Sequence, residues 1–393
     1  MTSSGGECQL RVAEGTNAVN HLSHRSSMRS QESPPFRAEH VGSLLRPAAL
    51  LDARQRFARS EIDSATLTAA EDRAIEAAVR LQERVGLRLA TDGEFRRASY
   101  HSYFYGQLGD ISFEAPPENA AGGRGAQPVA AIRSRIAWKG PIHAADFSFL
   151  RMRTKALPKI TIPGPSALHF RGGDAAVTKH AYRDVDEFWD DIVAAFRSEL
   201  RSLATAGCRY VQIDETAFAK FGDADVQAAL RARGDDPNAL IDRYIDVTNR
   251  VLAGLPPISI GMHLCRGNRG GQWHAEGSYE AVAEKLFNRL AIKFFFLEYD
   301  SPRAGDFTPL RLVPKDKSVV LGLVSTKTGA LEDESALKRR IEEASRFVPL
   351  ERLAISPQCG FASTELGNPI SPEMQEAKLR LVVELAQDVW GTA

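Results

Sequence analysis

From Phe36 to the C-terminus, short apolar runs alternate with amphipathic stretches of helical length, the pattern of an α/β protein with parallel strands. In order, the runs are RAEHVGS (37–43), RLATDGEF (88–95), KITIPGPS (159–166) and YVQIDET (210–216), then PISIGMHLC (257–265), KFFFLEYD (293–300), SVVLGLVST (318–326) and RLAISPQCG (352–360). Between them, 65–86, 185–207, 278–290 and 334–348 repeat apolar residues at helical spacing. Eight such runs with crossover helices predict a closed (β/α)8 barrel, the TIM barrel, over residues 36–393. Nearly every run is apolar first and polar, Gly- or Pro-rich at its end: HVGS, DGEF, PGPS, DET, HLC, EYD, STK and QCG. A barrel assembles its site at the C-terminal strand ends, so the asymmetry predicts one convergent pocket. A doubly wound open sheet is the other architecture compatible with the alternation, but it does not need polar residues at every strand end.

The interval 99–158, after the second strand, is too long for a simple connection and is punctuated by Gly and Pro. It reads as an excursion over the barrel mouth, a lid with a hairpin between AAIRSRIAWKG and FSFLRM. Residues 1–35 are rich in Ser, Gly, Asn and Gln without apolar periodicity, which predicts a disordered tail. No fixed-period repeat, coiled-coil heptad, GxGxxG or P-loop pattern occurs.

Charge narrows the partners. Fifty Lys+Arg balance fifty Asp+Glu, interspersed, which leaves no footprint for nucleic acid or an acidic membrane surface. A mean hydropathy of −0.26, with no apolar run near the roughly 18 residues of a bilayer span, argues against an integral membrane protein. No apolar core follows a basic start at the N-terminus, so a cytoplasmic chain acting on a small molecule is expected. In that compartment four cysteines (Cys8, Cys208, Cys265, Cys359) are ligands, nucleophiles or small buried residues rather than a disulfide scaffold.

His263 and Cys265, two apart at a strand end, share one face by the period of two. Glu298 ends the next run and Cys359 the last. Taken singly, each has a bland explanation: a satisfied core pair, a rim salt bridge from Glu298 to Arg303, an inert thiol beside Gly360. Jointly they are two thiolates, an imidazole and a carboxylate at one mouth, a set suited to tetrahedral Zn2+. A carboxylate ligand can exchange for a substrate, and a thiol so bound ionises below its usual pKa of about 8.5. Alkyl transfer to sulfur is the chemistry this suggests. Cys208 and Cys8 lie away from the mouth. Asp92 and Glu94 in DGEF, read on one face of a strand end, could hold an ammonium, or be a solvated ion-pair cluster with Arg96 and Arg97. HVGS offers an exposed turn, with backbone N–H groups at Gly42 and the hydroxyl of Ser43, able to take a carboxylate. Of Asp214 and Glu215 only one can face the pocket, and Asp214 is the expected one.

HVGS, DGEF, PGP, QIDE, HLC, the glutamate of FLEYD and PQCG occur in the order seen in the catalytic domain of cobalamin-independent methionine synthases, and the resemblance covers roughly 36–390. It implies that His263, Cys265, Glu298 and Cys359 ligate zinc, that Gly42, Ser43 and Glu94 bind homocysteine, and that Asp214 holds the amino acid. It also implies methyl transfer to homocysteine, giving methionine. Three departures concern the donor. There is no room for the second, folate-binding barrel of the full-length family, and Lys327 in TKT stands where the family has a histidine associated with the folate leaving group; the family's stacking tryptophan after PGP is also not evident in SALHF. The chain resembles short single-barrel homologues, so the donor is a methyl-folate or a methylated corrinoid. Two other readings compete: a zinc alkyltransferase for another thiol, such as coenzyme M with an epoxide, and a non-catalytic barrel with structural zinc.

Overall fold

The computed structural model describes residues 1–2, 36–115 and 128–393. The expected tail 1–35, Cys8 included, and the stretch 116–127 of the excursion lie outside the described residues, apart from residues 1–2. The strands are β1 (Leu89–Ala90), β2 (Ile111–Glu114), β3 (Val129–Ile132), β4 (Leu157–Pro158), β5 (Ile160–Pro163), β6 (Tyr210–Glu215), β7 (Ser259–Leu264), β8 (Phe294–Glu298), β9 (Ser318–Ser325) and β10 (Leu353–Gln358).

Strands β5 to β10 form a parallel sheet in sequence order, and β4, continuous with β5, pairs in parallel with β1. Segment 37–43 closes the circle. Ala38 bridges Ile355 in parallel, Glu39 N–H donates to the Ile355 carbonyl at 2.9 Å, and Leu44 N–H donates to the Gly93 carbonyl at 3.1 Å. The molecule is a (β/α)8 barrel, with two of its expected strands much shorter than their apolar runs. Residues 88–95 are strand only at Leu89–Ala90, because Asp92 Oδ1 accepts the Glu94 N–H at 2.9 Å and Gly93 (φ 67°) and Glu94 (φ 62°) turn the chain through left-handed conformations.

The crossover helices bury one stripe each. Helix Val185–Thr205 buries Phe188, Trp189, Ile192, Phe196, Leu200 and Leu203 at three- and four-residue spacing, and Asp184 caps it by accepting the Asp186 N–H. Asp63, Asp223, Asp236, Asp333 and Ser371 cap other helices in the same way. No helix among the described residues is long and apolar enough to cross a membrane.

The excursion after β1 holds a hairpin, but between β2 and β3, antiparallel with Ile111 opposite Ile132. FSFLR is helical instead, the end of helix Ala144–Arg151, with Met152 as its C-cap. Its Phe-Ser-Phe alternation imitates a strand, yet Phe147 and Leu150 are buried at a spacing of three, while Phe149 lies under the guanidinium groups of Arg96 and Arg153.

Candidate functional site

The C-terminal ends of the barrel strands surround a cavity of about 340 Å³. Ser43, Glu94, Asp214, His263, Cys265 and Cys359 line it; Gly42, Asp92, Glu298 and Lys327 do not. The excursion contributes to its wall through Tyr100, His101, Phe113 and Pro128.

Register assembles a group that could hold a metal ion. His263 sits opposite Asp214 on β6, and Cys265 follows β7 on the same face. Cys359 follows β10 in a left-handed conformation, φ 61°, which re-aims its sulfur as the chain leaves the strand. One ligand atom from each of His263, Cys265 and Cys359 lies within 4.8 Å of the others, all buried, so this triangle could hold a metal ion. His263 Nδ1 is buried with no hydrogen-bond partner among the described residues. The Cys359 thiol is pushed well above its ordinary range, first by its hydrogen bond with Cys265 and then by burial, against the pull of Lys327. Two thiols so close resist ionising together, a repulsion that a divalent cation removes. Burial lowers the proton affinity of His263, but the Cys359 sulfur and Asp214 outweigh it and leave it raised.

Glu298 stands outside this triangle. Its Oε2 accepts the Arg266 N–H at 2.6 Å, its Oε1 pairs with Arg303, and Lys327 Nζ lies 3.7 Å from Oε1. Burial alone would raise its carboxyl, but Lys327, Arg303 and Arg266 hold it down at about 2. Lys327 stands behind Cys359, 3.9 Å from the sulfur and 3.0 Å from Asp300 Oδ2.

Glu94 Oε1 accepts the Thr161 hydroxyl at 2.9 Å, while Oε2 is buried without a partner among the described residues. Asp92 shapes the turn beneath it. Gly42, at φ 139°, makes room for Glu94: a Cβ there would meet Thr161 Cγ2 at 2.6 Å and Glu94 Oε1 at 3.3 Å. The HVGS turn is buried, not exposed, because 361–362 packs over it: Phe361 N–H donates to the Ser43 carbonyl at 3.0 Å, and a Cβ on Gly360 would lie 1.8 Å from Ser43 Oγ. Asp214 and Glu215 divide as period two requires. Glu215 accepts the Ser166 hydroxyl and the Ala217 N–H away from the cavity.

A buried polar chain inside the barrel, not read from the sequence, fixes Asp214. Lys159 Nζ donates to Glu39 Oε2 at 3.1 Å and Gln212 Oε1 at 3.0 Å, and Gln212 Nε2 donates to Asp214 Oδ1 at 2.7 Å. Burial pushes the Asp214 carboxyl up and His263 pulls it down, but with Glu94 also raising it the group reaches about 7. Other unforeseen lining residues are Arg171, Lys220, Asn268, Arg269 and His274. They sit in connections beyond the strand ends, where periodicity carries no signal.

A parallel barrel whose strand ends bring thiols, an imidazole and carboxylates to one mouth has the architecture of a barrel enzyme. Residues 36–233 match the family described as "Cobalamin-independent synthase, Catalytic domain". The chain is 40% identical over 384 residues to "Uncharacterized protein YxjH" of Bacillus subtilis, covering 96% of this chain and 100% of that one. It is 24% identical over 331 residues to a "Methionine synthase" of Pyrococcus abyssi, covering 84% and 87%. A Listeria monocytogenes structure, solved as a candidate vitamin-B12-independent methionine synthase, superposes with a TM-score of 0.70 at 35% identity over 91% of this chain and 99% of that one. The chain belongs to the cobalamin-independent methionine synthase family, a family of methyltransferases.

Proposed function

We propose that this protein is a zinc-dependent S-methyltransferase that transfers a methyl group to the sulfur of homocysteine, giving methionine. The observation that carries the reading is the buried His263–Cys265–Cys359 triangle in one cavity with the unpartnered oxygen of Glu94. Two sulfurs and an imidazole suit zinc over magnesium or calcium. Bound there, zinc supplies the Lewis acidity that keeps a substrate thiol ionised at neutral pH.

The chain's own residues do the rest. Glu94 receives the substrate ammonium on Oε2, while the Gly42–Ser43 turn takes the carboxylate. Asp214, steadied by Gln212, completes the grip on the amino acid. Glu298, held ionised by Lys327, Arg303 and Arg266, would be the fourth, exchangeable donor to such an ion. Lys327 acts from behind Cys359, favouring the anionic forms of Cys359 and Glu298. An unpartnered carboxylate oxygen favours a thiol bearing an ammonium over coenzyme M, which has none. A cavity beside the triangle favours catalytic over purely structural zinc.

The test is zinc content of the purified protein, followed by methionine formation from homocysteine with methyl-folate and methylcobalamin supplied separately. The expected result is about one zinc per chain and turnover with one donor. A protein that retains no zinc, or that binds zinc but gives methionine with neither donor, would overturn the reading.

A further inference from the structure

Beyond the strand ends the character of the cavity changes. Its loop-borne lining includes Tyr100, His101, Arg171, Lys220, Arg269 and His274. Lys220 is 1% exposed and forms no ion pair or hydrogen bond through its ammonium among the described residues; its ring contact is Phe170, at 5.6 Å. Arg171 spends one nitrogen on the Pro128 carbonyl, at 3.0 Å, and pairs with no carboxylate among the described residues. Arg269 is exposed above them. His274, 6% exposed, has both ring nitrogens unpartnered among the described residues, as does His101 at Nδ1.

Among the described residues no carboxylate pairs directly with Lys220 or Arg171, although Glu215 attracts Lys220 across the site. Glu215 is held by Ser166 and Ala217, and Glu365 at the rim pairs with Arg54 at 3.3 Å. A buried ammonium without a direct ion pair is costly, and an anion that pairs with it relieves that cost.

We propose that Lys220, Arg171 and Arg269 form an oxyanion subsite that binds a carboxylate or phosphate group of the second substrate, the methyl donor. The assignment rests on the methyl-transfer reading above, in which Glu94 and the Ser43 turn already satisfy both ends of the amino acid. An oxyanion there accepts charge-assisted hydrogen bonds from Arg171 and Lys220 and relieves their mutual repulsion. The electrostatics agree: burial, then Arg171, pushes the Lys220 ammonium down to about 7, and burial with the same cations holds His101 and His274 down to about 3. An entering anion restores the charge on Lys220. The position also suits a donor, since a group anchored on the loops points the rest of its molecule toward the strand ends where the thiol sits.

The probes are glutarate and inorganic phosphate, titrated calorimetrically at low ionic strength into the full chain, with homocysteine titrated in parallel. Saturable binding of one probe is expected, weakened at least about tenfold in Lys220→Met and in Arg171→Gln, with homocysteine binding unchanged in both variants. The tighter probe identifies the donor's anionic group as carboxylate or phosphate. The proposal is overturned if neither probe binds, or if both variants bind them as the unaltered protein does. It is equally overturned if homocysteine affinity falls together with that of the probe, since the cations would then serve homocysteine's own carboxylate. Lys220→Met removes no hydrogen bond among the described residues, so it remains a fair test should Arg171→Gln fold poorly. Failure of homocysteine to bind at all, with probe binding intact, would count against the methyl-transfer reading and not against the subsite.

Discussion

The floor and the walls of the cavity are built on different principles. On the floor, His263, Cys265, Asp214 and Cys359 sit at or one residue past strand ends, where register with neighbouring strands fixes them. In the walls, Arg171, Lys220, Arg269 and His274 hang from connections, and what places them is contact between connections and folding of a connection on itself: Arg171 reaches Pro128 beside β3, and His274 N–H donates to the Arg266 carbonyl of its own connection at 2.9 Å. The floor gathers groups that favour a cation, the walls gather cations. A barrel can thus keep one reaction centre on its strands while its loops adapt to the partner molecule.

Substitutions can break that contrast at either level. The largest effect is expected from Cys359→Ala, which removes one corner of the donor triangle: zinc content should fall well below one equivalent and turnover should vanish. A variant that keeps both would remove the floor from the chemistry. Next comes Glu94→Gln, which leaves the donors intact but deprives an ammonium of its charged partner. Zinc should stay bound while the KM for homocysteine rises roughly 10- to 100-fold; an unchanged KM would place the amino group elsewhere.

The smallest effect probes the walls. His274 is held at about 3, by burial first and then by Lys220, Arg171 and Arg269, against about 6.5 in an unfolded chain. Between those values the unfolded state binds more protons, so the stability from neutral His274 is complete above about pH 6.5 and is lost as pH falls toward 3. His274→Gln should therefore lose less stability than the unaltered protein between pH 7 and pH 5, by on the order of 1–2 kcal/mol in urea unfolding. Parallel losses would mean that neither burial nor the wall cations keep the ring neutral.

This division also explains what was legible in the sequence. The later strands are long apolar runs, and FFFL and SVVLGLV admit no other reading in an α/β chain; His263 and Cys265 follow from period two. Glu94 was readable as a carboxylate at the mouth but not as a residue in a left-handed turn, because the hydrogen bond from its N–H to Asp92 is local and the pattern of apolar residues is blind to it. The hairpin was misplaced for a related reason: Phe149 is covered by arginines, so an apolar letter did not mean a core position. Lys159, Glu39 and Gln212 could not be foreseen as an internal chain, since they come from the β4–β5 junction, segment 37–43 and β6, and only closure of the barrel makes them neighbours. Arg171 and Lys220 lie in ordinary surface-like sequence, and contacts with other connections, Arg171 with Pro128 and Lys220 with Phe170, cover them partly and fully respectively.

The seam of the barrel carries one last consequence. Segment 37–43 meets β10 through a single bridge at Ala38, and Ser43 is gripped by residues just past Cys359. On the proposed reading, a bound amino acid touches Ser43 on one side of that seam and the Cys359 corner on the other. The substrate then works as a rivet across the place where the two ends of the barrel meet, so occupancy should protect the N-terminal edge from fraying and proteolysis before it steadies any other part of the molecule.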